Sequence, residues 1–400
     1  MKRIRDFSHP KRSQGASLLE YGIILGLLGV VAVPAVLRLG EEISVVLSLS
    51  ADEVHLAHRG PLDPNAFAIE VSGGSATIYP MAGSSIVVDW GSDTANADCG
   101  VNFTAGSPIS CAYPEAGSYR VTILGDMTAY GDAAGATTNG SIVSVLQWGR
   151  TGLTSLQNAF VGAVNLTEVP GNLPSTVTSL EEAFSGASSM NDPSVASWDT
   201  SSVEVFDGLF RNATSFNVDI GGWDVSSATR MYQMFNYASS FDQDIGGWDV
   251  SSLQITHGMF RGATAFSHDI GGWDVSQVTN MQAMFMETSY DADLSSWDTA
   301  SLTHMPWMFT YNTAFDSDIS GWDVSKVGSF RNAFQGATNF SADISGWDVS
   351  SATEMDEMLR GTSSLASDLS GWCVSGIASE PPNFSTGSGI SAAPIWGTCP

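Results

Sequence analysis

Carboxylates recur in pairs along the C-terminal half of this 400-residue chain: Asp244 with Asp249, Asp269 with Asp274, Asp318 with Asp323, Asp343 with Asp348. Stacked on adjacent coils of a repeating fold, such pairs would form ladders able to hold Ca²⁺ between turns, with Asp269, Asp274, Asp318 and Asp323 as candidate ligands. The competing chemistry is local, because aspartate caps turns by accepting nearby backbone N–H groups. Turn capping is the stronger expectation, since neither the DxDxDG calcium loop nor the GGxGxD nonapeptide occurs. Nothing else in the chain suggests a catalyst or a resident cofactor. His9, His55, His58, His257, His268 and His304 are scattered, and GxSxG, P-loop and HExxH motifs are absent. Repetition of the acid pairs argues for architecture and against one tuned acid/base couple.

The elements that must carry these acids repeat with a period near 25. Phe160, Phe184, Phe210, Phe235, Phe260, Phe285, Phe309 and Phe334 mark one column, which Leu359 continues. Trp198, Trp223, Trp248, Trp273, Trp297, Trp322, Trp347 and Trp372 mark a second. A unit this short cannot supply a four-stranded propeller blade, so the period implies a solenoid whose neighbouring coils stack to bury a shared core. Each unit is expected to hold a short helical turn, as at Met281–Phe285, followed by an extended piece through Trp297. The indoles have two readings: stacked core residues, favoured by glycine-rich bends such as Gly246-Gly247, or an exposed stripe suited to sugar rings.

The units with Asp269-Ile270, Trp273-Asp274-Val275-Ser276 and Met281-Gln-Ala-Met284-Phe285 closely resemble the BspA-like leucine-rich-repeat surface proteins of bacteria, over residues 150–372. The resemblance implies a right-handed, curved, leucine-rich-repeat-like solenoid at a cell surface and attachment to a protein or glycan ligand.

The chain carries 42 acidic against 15 basic residues, a formal charge of −27. Nucleic acid and anionic lipid surfaces are therefore not expected as partners of the exported part. The basic residues concentrate at the N-terminus, where Lys2, Arg3, Arg5, Lys11 and Arg12 precede a 22-residue apolar run, Ala16 to Leu37, interrupted by one acid, Glu20. That length suffices to cross a bilayer as a helix, and a carboxylate within a span needs a partner.

The sequence Gly15-Ala16-Ser-Leu-Leu-Glu20-Tyr21-Gly22 resembles the processing motif of type IVb (Flp, Tad-type) prepilins, over about residues 1–45. The resemblance implies cleavage by a prepilin peptidase between Gly15 and Ala16, and methylation of the new Ala16 amine. Glu20 would neutralise that amine on a neighbouring pilin subunit, and Tyr21 matches the family's aromatic. It further implies residence in the inner membrane before assembly and on the cell surface afterwards, as a pilus subunit or as an anchored surface receptor.

Between these parts, short β-rich runs at Phe67–Val71, Ala76–Tyr79, Ile86–Trp90, Ser118–Ile123 and Ile142–Val145 read as a small β-sandwich. The pattern around Val88-Asp89-Trp90-Gly91 and Tyr113–Tyr119 resembles PKD-like, immunoglobulin-like spacer modules. Cys99 with Cys111 and Cys373 with Cys399 form two locally spaced couples, as expected for disulfides in an exported protein. The expected fold class is therefore multidomain. A leader (1–15) and a pilin-like transmembrane α-helix with stalk (16–60) precede a PKD-like sandwich (66–148), a repeat solenoid (150–372) and a C-terminal cap (373–400).

Overall fold

In the computed structural model the described residues are 61–78, 80–91, 108–113, 117–131 and 139–400. Alternation of buried and exposed positions fixes the first elements. In β5 (Ser118–Tyr130), Tyr119, Val121 and Ile123 turn inward while Arg120 and Thr122 are half-buried. β5 pairs antiparallel with β1 (Phe67–Ser72), Phe67 opposite Ile123 and Val71 opposite Tyr119. It pairs on its other side with β3 (Pro80–Asp89), and β6 (Ile142–Gln147) closes the sheet in the order β3-β5-β1-β6. β2 (Ser75–Ile78) and β4 (Ile109–Ala112) form a separate antiparallel pair whose Ala76, Ile78, Ile109 and Cys111 are buried in the same apolar core.

The sheet passes directly into the repeats. Ala129 of β5 forms a parallel bridge to Ser155, and Ser144 of β6 forms one to Glu168. Phe67, Tyr130 and Phe160 pack in sequence as tilted rings, at 4.6 and 5.8 Å between centroids. Trp148 lies 6.0 Å from Trp198, edge to face. The β-sheet thus covers the first coil of the solenoid, and residues Asp63–Pro400 make one compact unit with a continuous core.

Each coil forms one isolated parallel β-bridge to the next, in the series Ser155, Ser179, Val205, Arg230, Ile255, Asn280, His304, Ser329 and Glu354. Beyond the bridge the backbone runs through consecutive turns. The N–H groups of Met281, Ala283, Phe285 and Glu287 donate at 2.8–2.9 Å to the carbonyls of His304, Pro306, Met308 and Thr310 in the following coil. Between them, Met284 and Met286 donate back three residues, to Met281 and Ala283. Two residues four apart are left-handed in every turn segment, from Asn158 and Gly162 through Ala283 and Glu287 to Asn383 and Gly387. Their φ angles lie between 53° and 77°. A left-handed residue every fourth position cannot continue a right-handed helix, so the short helical turn expected at Met281–Phe285 is instead a ladder of β-turns.

The expected fold class is corrected on the same ground. The described chain is strand, bridge and turn throughout, apart from one 3-10 turn at Pro193–Ser197. Among the described residues no helix is long and apolar enough to cross a membrane. The segment 16–60, on which a pilin-like α-helix was expected, lies outside the described residues, as do Gly15, Ala16, Glu20, Tyr21 and Cys99. The fold is accordingly an almost all-β, turn-built solenoid joined to a small sheet.

Candidate binding surface

The repeat side chains divide by direction. Inward, Phe210, Phe235, Phe260 and Phe285 are wholly buried, and successive rings of this column stack 5.7–6.0 Å apart. A second aromatic column, not distinguished in the sequence reading, runs beside it through Phe216, Phe241, Phe266, Tyr290, Phe315 and Phe340. Within one coil the two columns stack face to face, as Phe235 does on Phe241 at 3.9 Å.

The indoles of Trp223, Trp248, Trp273, Trp322 and Trp347 are 3–4% exposed. Each indole N–H donates to a backbone carbonyl one coil back, to Val195, Ile220, Ile245, Leu294 and Ile319 respectively, at 3.1–3.2 Å. A buried Trp keeps its N–H bonded in this way. The tryptophan column is core and offers no sugar-binding stripe.

The paired aspartates are exposed, and each is tied to its own turn. Asp269 accepts the N–H of Gly271 at 2.7 Å, Asp274 that of Ser276, Asp318 that of Ser320 and Asp323 that of Ser325. The serine hydroxyl, with its backbone N–H, holds the Asp274, Asp318 and Asp323 carboxyls below the usual carboxylate range. These oxygens thus already serve local turns. Among the described residues no group of three or more His, Cys, Asp or Glu is placed to hold a metal ion.

A disulfide joins Cys373, which stands where other coils have aspartate, to Cys399. Beside it Val374 donates to Thr398, Asp368 bridges to Ala392, and Trp396 covers Phe384 edge to face at 4.9 Å. This segment covers the last coil. Cys111 is also disulfide-bonded, and Cys99, its expected partner, lies outside the described residues.

What distinguishes one side of the solenoid is the face formed by the turn segments. Tyr232, Tyr237 and Tyr311 are 37%, 37% and 53% exposed there, with Trp307 half-buried beside them. Arginines gather on the same face and each lies against a carboxylate: Arg211 on Glu182, Arg230 on Asp207, Arg261 on Glu287, Arg331 on Glu354, Arg360 on Glu357. Arg261 stacks over the Tyr237 ring at 5.3 Å, and Arg331 over Trp307 at 5.7 Å. The Tyr237 hydroxyl donates to Glu287, whose carboxylate pushes the phenol pKa up. His257 packs edge-on against Tyr232, and burial holds its imidazole below the usual histidine range. Burial also raises Asp207, against the bond from the Tyr232 N–H and the charge of Arg230. The sequence reading missed this face, because its members sit at repeat positions that vary from coil to coil. The usable signal was a large aromatic at a position filled elsewhere by glycine.

The geometry defines a sealed, aromatic-cored turn solenoid, of the kind displayed as a repeat array, with its varied side chains on the turn face. Residues 178–292 and 286–393 match the family described as "Mycoplasma protein of unknown function, DUF285", and the chain belongs to that family. It is a family of BspA-like surface repeats. The match does not reach the segments that carry the prepilin and PKD-like resemblances. No curated protein and no solved structure matches the chain.

Proposed function

We propose that this chain is a non-catalytic, adhesin-like surface protein that meets a protein or glycan ligand through its repeats. The observation that supports it best is the segregation on the turn face. The solvent-facing tyrosines of the solenoid and its ion-paired arginines share one side, while the phenylalanine and tryptophan columns are consumed by the core. Exposed aromatic residues mixed with arginine are the residue types enriched where proteins bind partners. The acid pairs cap their own turns, which supports an architectural role for them. Comparing attachment of cells that display the whole chain with cells displaying one that lacks residues 150–372 tests this reading. Loss of attachment supports it, and equal attachment contradicts it.

The finer reading, delivery to a type IVb pilus, rests on the sequence of residues 1–45 alone. In it a prepilin peptidase cuts between Gly15 and Ala16, and Glu20 pairs with the Ala16 amine of another subunit. Mass spectrometry of sheared filaments tests this part. A peptide starting at methylated Ala16 in the filament fraction supports it, and processed protein found only in membranes favours the anchored receptor.

A further inference from the structure

Tyr237 and Tyr311 occupy the same position of the turn, the second left-handed residue, three coils apart. One coil beyond each stands a left-handed glycine, and the tyrosine ring lies against it. A Cβ at Gly262 would fall 2.3 Å from the Tyr237 ring, and one at Gly336 would fall 2.6 Å from that of Tyr311. Each ring therefore lies against the backbone of the next coil, a placement that only glycine leaves room for; Tyr237 also carries the Arg261 guanidinium over its ring, and the two side chains remain 37% and 53% exposed. Coils advance by 5.7–5.9 Å at the phenylalanine column between these rings. Of the two coils between, the first has Gly262 and the second Glu287 at the same turn position, and Glu287 lies 3.7 Å from Arg261.

We propose that the turn face from Tyr237 to Tyr311 is a docking strip for a neutral, linear polysaccharide, with the two tyrosine rings as stacking platforms. The inference rests on the adhesin-like reading and names its ligand class. An aromatic face is electron-rich, and it meets the weakly positive C–H faces of pyranose rings. The Glu287 carboxylate and the Arg261 guanidinium supply the few fixed polar groups that orient hydroxyls. Charge selects a neutral glycan. The arginines of this face lie against carboxylates, so they offer no uncompensated cation to an acidic polymer, and the chain as a whole carries −27. Flat rings lying on backbone also lack the deep, desolvated pockets in which protein hot spots sit. A repetitive polymer fits a repetitive surface, since sliding by one unit keeps both platforms covered.

Native electrophoresis of the full chain through gels holding soluble β-1,3-glucan, β-1,4-glucan or β-1,4-mannan tests the strip, with polygalacturonate as the acidic counterpart. The expected result is retardation by at least one neutral polymer. Tyr237→Ala and Tyr311→Ala should each weaken it about three- to tenfold, the scale of one aromatic contact. The Phe variants keep the ring and should retain it, and all four variants should melt like the parent. Retardation by none of the neutral polymers overturns the proposal. So does retardation that survives in the double Ala variant, or retardation in polygalacturonate alone. Cells displaying the double Ala variant separate the two readings. Undiminished attachment leaves the adhesin-like function standing and removes the strip as its site, whereas loss of attachment supports both.

Discussion

The indole N–H of Trp273 donates to the carbonyl of Ile245 at 3.1 Å, across the boundary between two coils. The same bond recurs from Trp198 to Trp372, so each tryptophan both fills its own coil and fastens the one before. Replacing Trp273 by Ala is expected to destabilise the solenoid by about 3–5 kcal/mol, through the cavity left behind. Chemical denaturation checks this, and a smaller loss is expected for Trp273→Phe, which keeps the ring packing.

Ala283 is left-handed, with φ of 53°. In a helix, Ala→Gly costs about 1 kcal/mol. In the left-handed region the Cβ itself costs about 1–2 kcal/mol, part of which is offset by the greater freedom of an unfolded glycine. Ala283→Gly is therefore expected to leave the melting temperature unchanged or raise it. A clear drop would restore the helical turn.

Acid should loosen the array. The carboxyls of Asp199, Asp249, Asp274, Asp318, Asp323, Asp348 and Asp368 are lowered chiefly by a serine hydroxyl two residues on, and those of Asp293 and Asp343 chiefly by a serine N–H. A depressed folded pKa contributes stability that is present above the unfolded value, about 4, and lost as pH falls through the folded one. Asp207 is raised by burial and works in the opposite direction. Denaturant midpoints measured between neutral pH and pH 3 are expected to fall steadily below about pH 4 to 5. A flat profile would contradict the turn-capping role of the aspartates.

The same acids repel between coils, as Asp249 does Asp274 and Asp323 does Asp348. Raising ionic strength towards about 0.15 M, where the screening length is about 8 Å, is expected to raise the melting temperature. Calcium at matched ionic strength should add nothing further. A saturating rise at low Ca²⁺ would instead support carboxylate ladders at Asp269, Asp274, Asp318 and Asp323.

The solenoid was legible in the chain because its core repeats: Phe235, Phe260 and Phe285, or Trp248, Trp273 and Trp322, occupy one column each. Its local backbone was not. Met281, Met284 and Phe285 are all buried, and their spacing of three and four is that of a helix face. Consecutive turns produce the same spacing, and the residues that adopt the left-handed positions are Ala283 and Glu287, not the glycine that ordinarily signals them. In the sheet, β1, β2, β5 and β6 follow runs of β-branched and aromatic residues. β4 escaped notice, since Ile109-Ser110-Cys111-Ala112 is short and gains its pairing only from β2. The Tyr237 and Tyr311 face was hidden for a related reason, because periodicity reveals what every coil shares, whereas the distinctive side chains are those that differ.

The central claim is that the repeats stand outside the cell and carry attachment. Fab fragments against residues 150–400, applied to intact cells and to permeabilised ones, test it most directly. The account predicts equal labelling of both, with attachment blocked by the Fab; labelling that appears only after permeabilisation would contradict it.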